Sequence, residues 1–353
     1  MNVTHDGPLA KESATLKTIM KAVQQHEFGG PEVLRYENAP IPELKAGEVL
    51  IRVHAVGMNP PDWYLRDGYK MLPVEWQPKV RFPLILGTDV SGVVEALADD
   101  VTAFAVGDDV YSMVRFPSGL AGESRAYAEY VSVPASEVAR KPARIDHAHA
   151  AGAPMSLLTA WQYMLEVGHN EPNPLQPNAH EPVELQGKTV VVNGAAGGVG
   201  HFAVQLAKWK GARVIAVASA RHEAFAYDLG ADEFVDYSKT APEDIFHDVD
   251  LVIDTVGGPT TGRFLRTLKP GGALFPIFPL GFNGAAEAAR LGVTVSAVQV
   301  RSSGAQLEEV GRLLNDGIIR VAIDGDFPFA HARMAHERAA QGHIQGKIVL
   351  NVE

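Results

Sequence analysis

Cysteine is absent from this sequence of 353 residues. Without cysteine there are no disulfide bonds, no thiolate metal sites and no cysteine nucleophiles. A chain that uses no disulfides fits a reducing compartment, so we expect a cytoplasmic location.

Long apolar segments and an excess of positive charge are also missing. No apolar run approaches the roughly 20 residues that a membrane-spanning helix needs. Residues 1–19 lack the apolar core of a signal peptide, and we expect them to form a disordered tail. Lys and Arg number 31 against 42 Asp and Glu, which gives a formal net charge of −11. Nucleic acids and membranes attract basic surfaces, so we expect neither as a partner and look to a small molecule.

The length and the sequence patterns predict two domains. In residues 20–150, short apolar stretches alternate with Gly-Gly-Pro, Pro-Pro and Gly-Asp turns, as is typical of a partly open β-barrel. Residues 151–300 alternate strand and helix patterns, which indicates a parallel sheet with helices on both faces. Within them, the proline-rich residues 171–182 predict a surface loop. Residues 301–353 carry no phosphate motif and are expected to return and complete the first domain.

The alternation is regular enough to place individual elements. We expect helix 147–167, strands 189–193, 212–219, 234–237, 250–255 and 272–278, helices 198–210, 222–229 and 261–268, and then helix 305–316, strand 319–323, helix 329–341 and strand 347–351. Residues 292–300, GVTVSAVQV, alternate with period two and predict a strand at a sheet edge. Exposed valines on such an edge are a hazard unless paired, so we expect a homodimer that continues the sheet.

The segment TVVVNGAAGGVGHFAVQLAKWKG combines an apolar strand, a glycine turn and an amphipathic helix. Ala195, Gly197 and Gly200 occupy the three positions of the G-x-G-x-x-G pattern, with alanine at the first. Gly197 lets the backbone approach a pyrophosphate, and Gly200 lets the helix pack closely on the strand. The free amides at the helix start then face the negative charge. In this βαβ context the pattern predicts a dinucleotide site rather than a connection without a ligand.

The residues after the following strand favour NADPH over NADH. An enzyme that uses NAD usually has Asp or Glu at this point, which binds the ribose hydroxyls. Here the sequence is VIAVASARHEAF, with Ser219 and Arg221 and no acid before Glu223. An arginine can form a charge-assisted hydrogen bond to a 2′-phosphate, worth on the order of 1.5–3 kcal/mol. The alternative is that Arg221 is merely solvated at the start of the next helix.

With these motifs the sequence resembles the medium-chain dehydrogenase/reductase superfamily, in its quinone oxidoreductase (zeta-crystallin-like) branch. The resemblance rests on AAGGVG, on VGMNPPDWYLRDG and PLILGTDVSGVV in the first domain, and on GADEFVDY and DTVGG in the second. It covers nearly all of the chain from Met20 to Glu353. The resemblance implies an α/β protein with a Rossmann doubly wound parallel sheet that binds NADP. A GroES-like, partly open β-barrel domain, completed by the C-terminal segment, would accompany it.

The ligands of the zinc-dependent members of this superfamily are missing. Where their first cysteine falls there is Asn59, where their His-Glu pair falls there is Thr88-Asp89, and near the last ligand there is Met155. None of these is a thiolate or an imidazole, so we expect no catalytic metal. Alcohol–ketone interconversion relies on zinc to hold the alkoxide. A quinone or an enone needs less help, because its developing charge spreads onto a more distant oxygen.

The resemblance also implies residues of a catalytic site. Asn59 would offer an amide to the cofactor or acceptor, and Asp62 would orient its neighbours, although Asn-Pro-Pro-Asp is also good turn chemistry. Tyr69 lies where the family places a tyrosine near the active site; it would donate to an acceptor oxygen or simply cap the core. Thr159 matches a threonine close to the nicotinamide, although helical threonines often bond back to their own backbone.

The other cofactor contacts are expected along the carboxyl edge of the parallel sheet, where ligands of open α/β sheets bind. Tyr237 would lie beside the 2′-phosphate and adenine, and Lys347 would reach the cofactor across the cleft or remain solvated. The expected cofactor-binding residues are Ala195, Gly197, Gly198, Val199, Gly200, Ser219, Arg221, Tyr237, Thr255, Val256, Gly257, Phe278 and Lys347.

The sequence thus predicts an NADPH-dependent, zinc-independent oxidoreductase that transfers hydride to a quinone or to an activated C=C bond. Two alternatives stay open. An enoyl-thioester reductase would need a basic entrance for a phosphorylated carrier. A non-catalytic NADPH-binding sensor or structural protein is the other, because a glycine turn indicates binding without proving turnover.

Overall fold

The computed structural model describes residues 18–114, 125–168 and 180–352. Its strands are β1 (Ile19–Gln25), β2 (Arg35–Pro40), β3 (Glu48–Gly57), β4 (Leu84–Ile85), β5 (Asp89–Leu97), β6 (Asp109–Met113), β7 (Tyr130–Pro134), β8 (Val138–Arg140), β9 (Thr189–Asn193), β10 (Arg213–Ala218), β11 (Glu233–Asp236), β12 (Val249–Asp254), β13 (Leu268–Pro276), β14 (Thr294–Val295), β15 (Ile323–Pro328) and β16 (Lys347–Asn351). Its α-helices are α1 (Pro60–Arg66), α2 (His147–Gly152), α3 (Pro154–Leu165), α4 (Gly200–Trp209), α5 (Glu223–Asp228), α6 (Ala285–Leu291), α7 (Gly304–Asn315) and α8 (Ala332–Ala340).

The first domain is built on a seven-stranded sheet that brings distant parts of the chain together. Its strands follow the order β15-β16-β3-β5-β6-β8, and β7 also pairs with β3. β16 pairs antiparallel with β3, so that Val349 lies opposite Gly57. The last strand of the chain therefore runs beside the strand that leads into α1. β1, β2 and β4 form a smaller, separate sheet.

The second domain is a six-stranded parallel sheet with the order β11-β10-β9-β12-β13-β14. β10 pairs with one side of β9, and β12 pairs with the other side. The strand order therefore reverses between β9 and β12, which is the point where open α/β sheets bind ligands at their carboxyl ends. This doubly wound sheet, together with the β-rich first domain, confirms the predicted fold class.

Helix α3 joins the two domains through a shared core. Every residue from Pro154 to Met164 is buried, so the helix is covered on all sides rather than along one stripe. Leu157 and Leu158 belong to one apolar cluster that also contains Met113 of β6 and Val192 of β9. This continuous packing fixes the first domain against the parallel sheet. Even this apolar helix has only 12 residues, and in the described ranges no helix is long and apolar enough to cross a membrane.

Several predicted boundaries differ from the structure. The helix expected at 147–167 is two helices, α2 and α3, and the helix expected at 261–268 is a 3-10 helix, Thr261–Thr267. The strand expected at 319–323 is absent there, and β15 begins only at its end. Ile319 and Val321 are buried by tertiary packing, which explains their apolar pattern without a strand.

The edge strand expected at 292–300 is wrong in extent. β14 spans only Thr294–Val295, where it pairs with β13. Val293, Val298 and Val300 are buried within the chain, so they do not form an exposed apolar edge. The homodimer stays a prediction, although the valines on which we based it are buried within the chain.

Two predicted segments, the N-terminal tail and the proline-rich loop, lie partly outside the described ranges. Ile19, placed in the disordered tail, belongs to β1, whereas residues 1–17 lie outside the described part of the chain. Of the proline-rich loop, residues 171–179 lie outside it as well. His180 is fully buried, and its Nδ1 is hydrogen-bonded to Ser296 Oγ at 2.8 Å.

Replacing Gly57 by alanine is expected to destabilise the fold. A Cβ atom at this position would lie 2.1 Å from the carbonyl oxygen of Ala151 in α2, and backbone cannot yield as a flexible side chain would. Overpacking of this kind costs roughly 1–3 kcal/mol. The free energy of unfolding, measured by denaturant titration, should fall by about that amount. Gly262→Ala is the control, because its Cβ would meet nothing within 4 Å; equal losses in the two variants would contradict the steric argument.

Candidate active site

A cleft lies between the two domains at the carboxyl edge of the parallel sheet. Its empty volume is about 1090 Å³, a figure that includes space open to solvent. The glycine turn after β9 forms one wall, and residues preceding and within α1, such as Met58 and Trp63, face it from the first domain. The segment leading into β16, with Ile344 and Lys347, lines the cleft from a third side.

The turn at the end of β9 is made by Gly194, not by Ala195. Gly194 has φ of +76°, which favours glycine, and its amide donates to the carbonyl of Val217 in β10 at 3.0 Å. Ala195, which we placed at the first position of the glycine pattern, is fully buried and does not line the cleft. The Asn-Gly pair in VVNGAAGG was the sequence signal for this turn.

The glycines after this turn leave room for a ligand. A Cβ on Gly200 would lie 2.1 Å from the carbonyl oxygen of Gly194, so Gly200 does let α4 pack closely on the strand. Gly197, Gly198 and Val199 line the cleft. The amides of Gly198 and Val199 donate to no backbone carbonyl within the described ranges. Together with the N-terminus of α4, they form a cradle suited to a negatively charged group.

The expected 2′-phosphate region of the cleft contains a buried hydroxyl, Ser219 Oγ. Among the described residues it has no hydrogen-bond partner, and a bound ligand would provide one. Arg221 is exposed, forms no ion pair with any described residue and does not line the cleft. Tyr237 does line it. The sequence analysis missed His222, which is 5% exposed in the same wall and contacts Gln345 Oε1 at 3.1 Å.

The fourth strand, β12, contributes as expected only in part. Thr255 and Val256 line the cleft. Gly257 does not: a Cβ there would lie 2.3 Å from the carbonyl oxygen of Phe278, so the two residues pack on each other behind the wall. Phe278 is also outside the lining, with its ring 6.1 Å from that of Tyr64. These two residues support the cleft rather than form it.

A buried polar network lies beside the glycine turn, where the first domain meets it. Asn59 Nδ2 donates to Asp89 Oδ2 at 2.9 Å and to Thr88 Oγ1 at 3.1 Å. The amide of Met155 donates to both oxygens of Asp89 at 3.0 Å. Lys347 Nζ donates to Asn59 Oδ1. Asn59 does not line the cleft, and both donors of its amide are taken by Asp89 and Thr88. We expected this amide to face the cofactor or acceptor; it holds neighbouring side chains instead.

Ser156 completes this network, and the sequence analysis missed it. Its Oγ accepts from Lys347 Nζ at 2.9 Å and lies 3.4 Å from Asn59 Oδ1. Ser156 lines the cleft, whereas Thr159, one turn later in α3, does not. The Thr159 hydroxyl donates to the carbonyl of Met155 at 2.7 Å, which is the backbone interaction we gave as the alternative.

Burial changes the protonation of the two carboxyl groups of this region. Asp89 is fully buried, and desolvation raises its pKa to about 6 despite the nearby Lys347 charge. Desolvation also raises the pKa of Asp62 to about 7, opposed by the hydrogen bond from the Asn59 amide. Asp62 does orient its neighbours, because its Oδ2 accepts from that amide at 2.8 Å.

A series of hydrogen-bonded side chains leads from Arg66 to Asp62. Arg66 Nη1 donates to His336 Nδ1 at 2.8 Å. Arginine has only donors, so His336 Nε2 carries the proton and donates to Tyr127 Oη at 3.1 Å. Tyr127 Oη then donates to Asp62 Oδ2 at 3.5 Å. Burial keeps His336 neutral, with its pKa lowered to about 3.

Tyr69 has a strained backbone, although it does not line the cleft. Its φ of +52° lies in the left-handed region, which costs a bulky residue on the order of 1–3 kcal/mol. Burial, followed by the Asp62 charge, raises the pKa of its hydroxyl, so the group is neutral. The structure brings Tyr69 close to Asp62 and to the core of the first domain.

The fold and the cleft define a class of protein: a GroES-like domain joined to a Rossmann domain, with a dinucleotide-type site between them. Residues 45–143 match the alcohol dehydrogenase GroES-like domain family. Residues 229–350 match the zinc-binding dehydrogenase family.

Individual relatives agree with this class. The chain is 34% identical to mouse (Mus musculus) mitochondrial NAD(P)H oxidoreductase RTN4IP1, over 95% of this chain and 90% of that protein. It is 31% identical to the chloroplastic NADPH-dependent alkenal/one oxidoreductase of Arabidopsis thaliana, over 99% of this chain and 82% of the other. The quinone oxidoreductase structure from Coxiella burnetii superposes with a TM-score of 0.78 at 31% identity, covering 95% of this chain and all of that one.

The chain therefore belongs to the medium-chain dehydrogenase/reductase superfamily, which confirms the predicted resemblance. The glycine turn and the inter-domain cleft are thus those of an oxidoreductase family.

Replacing Asp62 by asparagine is expected to change how stability depends on pH. The folded-state pKa of Asp62 is raised from 3.8 to about 7. Between these values the folded protein holds a proton that the unfolded chain has lost. The wild-type free energy of unfolding, relative to Asp62→Asn, should therefore fall by about 1.4 kcal/mol for each pH unit of rise through this window.

Denaturant unfolding of both proteins at several pH values between about 4 and 8 measures this difference. Groups that do not interact with Asp62 titrate alike in both proteins and cancel in the comparison. A difference that stays constant across the window would show that Asp62 is ionised in the folded state throughout.

Proposed function

We propose that this protein is an NADPH-dependent, zinc-independent oxidoreductase that reduces a quinone or an activated C=C bond. The observation that carries the proposal is the composition of one cleft. It combines a glycine cradle, a serine hydroxyl that has no partner among the described residues, and a buried lysine held by Asn59 and Ser156.

The residues present fit a bound NADPH. Gly197, Gly198 and Val199 would hold the pyrophosphate at the start of α4. Ser219 Oγ, which is buried without a partner in the described part of the chain, would bind the adenosine 2′-phosphate together with Arg221. The relative named as NADPH-dependent supports this assignment. When bound, the cofactor supplies the hydride, and the protein supplies binding and orientation.

The polar network argues against a zinc ion in the cleft. Both oxygens of Asp89 already accept hydrogen bonds, and Asn59 and Met155 offer no thiolate or imidazole. Across the described ranges, no group of three or more His, Asp or Glu is placed to hold a metal. The matched family is named for zinc binding, but the donor set of this chain does not suit a zinc ion.

A conjugated acceptor suits a site without a metal. Hydride addition to an enone or quinone places the developing charge on an oxygen that is remote from the attacked carbon. Hydrogen-bond donors can stabilise that charge, whereas a simple ketone needs a stronger electrophile. The names of the alkenal/one and quinone oxidoreductase relatives point to the same acceptor classes.

The direct test is oxidation of NADPH in the presence of a metal chelator, first with a simple quinone and then with an enone. The same assay with NADH measures cofactor preference. Turnover that prefers NADPH and survives the chelator would support the proposal. NADPH binding without turnover of either acceptor would instead favour the sensor alternative. Activity only with an enoyl thioester would favour the enoyl-thioester reductase.

Replacing Arg221 by alanine is expected to weaken the use of NADPH selectively. Loss of one charge-assisted hydrogen bond to a phosphate costs roughly 1.5–3 kcal/mol, less the screening at an exposed side chain. kcat/KM for NADPH should therefore fall about tenfold or more, and that for NADH should stay nearly unchanged. Arg144→Ala is the control, since Arg144 is also exposed but lies in the first domain. Equal losses with both cofactors would refute the phosphate contact.

A further inference from the structure

Lys347 is a buried cation that donates hydrogen bonds to uncharged groups. The residue is only 3% exposed, at the first position of β16. Its Nζ donates to two uncharged oxygens, Asn59 Oδ1 and Ser156 Oγ. No carboxylate pairs with it in the part of the chain that the structure describes. A lysine ammonium has three donors, so one remains beyond these two hydrogen bonds.

The carboxylate that attracts Lys347 most strongly, Asp89, does not contact it directly. Asp89 attracts the ammonium, but Asn59 lies between them and hydrogen-bonds to both. Desolvation lowers the pKa of Lys347, and the charges of Asp89 and Asp62 oppose this effect. A buried charge is costly unless it is compensated. Because Lys347 also lines the cleft, an anion there would complete its surroundings.

The side chain of Lys347 lies where the first domain meets the glycine turn. An added Cβ on Gly198 would lie 3.4 Å from Lys347 Cδ and 3.1 Å from Ser156 Oγ. The Gly346 amide donates to the carbonyl of Ala196 at 2.8 Å and fixes the backbone beside the glycine turn. From there the side chain extends to Asn59 and Ser156, at the starts of α1 and α3.

We infer that Lys347 is a catalytic residue whose ammonium stabilises the oxyanion formed on a conjugated carbonyl acceptor, with Asn59 and Ser156 as positioning residues. This inference rests on the proposed function. In the step concerned, hydride that the reduced cofactor would supply forms a C–H bond at the β-carbon of an enone. The C=C π electrons become a double bond between the α-carbon and the carbonyl carbon, and the C=O π electrons move onto the oxygen. Lys347 donates a hydrogen bond to that oxygen. A proton from water then adds to the α-carbon, leaving the saturated ketone and the oxidised cofactor.

The test compares wild type with Lys347→Met, which keeps the length of the side chain and removes the charge. With a simple enone at saturating NADPH, kcat should fall about 100-fold, as on loss of one oxyanion donor. The dissociation constant of NADPH, measured by quenching of protein fluorescence, should change less than about threefold. The primary isotope effect with deuterated NADPH should rise, because hydride transfer becomes slower. Lys45→Met, at an exposed lysine, is the control.

The double variant Lys347→Met, Asp89→Asn separates catalysis from folding. It removes the cation and the carboxylate together, so neither charge is left buried alone. A catalytic lysine predicts that the thermal stability lost in the single variant is regained without turnover. If Lys347 only balances Asp89, both stability and turnover return, and the inference is overturned.

The remaining outcomes are also decisive. Unchanged kcat with a much weaker NADPH dissociation constant would make Lys347 a cofactor ligand only and overturn the inference. An active wild type together with an equally active Lys347→Met would overturn it while leaving the proposed function intact. A wild type that binds NADPH but reduces no quinone or enone would overturn the proposed function itself.

Discussion

Four side chains from four separate elements meet at one buried point, and the geometry of the cleft depends on their hydrogen bonds. Asn59 precedes α1, Asp89 begins β5, Ser156 lies in the first turn of α3, and Lys347 begins β16. Asn59 and Lys347 are 288 positions apart in the chain, yet one hydrogen bond joins them. Because the backbone before Lys347 is also bonded to the glycine turn, this network sets the first domain against the parallel sheet.

The members of this network are tolerated inside the protein only together. A buried ammonium or carboxylate left without its partners costs several kcal/mol, so removing one member penalises the others. The neutral amide of Asn59 resolves the conflict, since its oxygen accepts from Lys347 and its nitrogen donates to Asp89. A thiolate in place of Asn59 would accept but could not donate. The amide of Asn59 therefore lets a cation and a carboxylate share one buried site without direct contact.

Local patterns predicted the parallel sheet well, and long-range contacts explain most of what was missed. β9 and α4 follow from an apolar strand, a glycine turn and an amphipathic helix that are contiguous in sequence. Ser156 and the chain from Arg66 to Asp62 could not be predicted in this way, because Arg66 and His336 are 270 positions apart. The alternating valines near 292–300 were misleading for the related reason that tertiary packing, which has no sequence period, buries them.

The difference between a zinc ion and a lysine ammonium connects the network to the choice of acceptor. Zinc carries two charges and binds an alkoxide directly, which suits the concentrated charge of a simple ketone under reduction. Lys347 carries one charge, and Asn59 and Ser156 already occupy two of its three donors. In the proposed role, the remaining donor would serve an oxygen whose charge is shared along a conjugated system. A site of this strength would then discriminate against simple ketones by chemistry, before the shape of the cleft is considered.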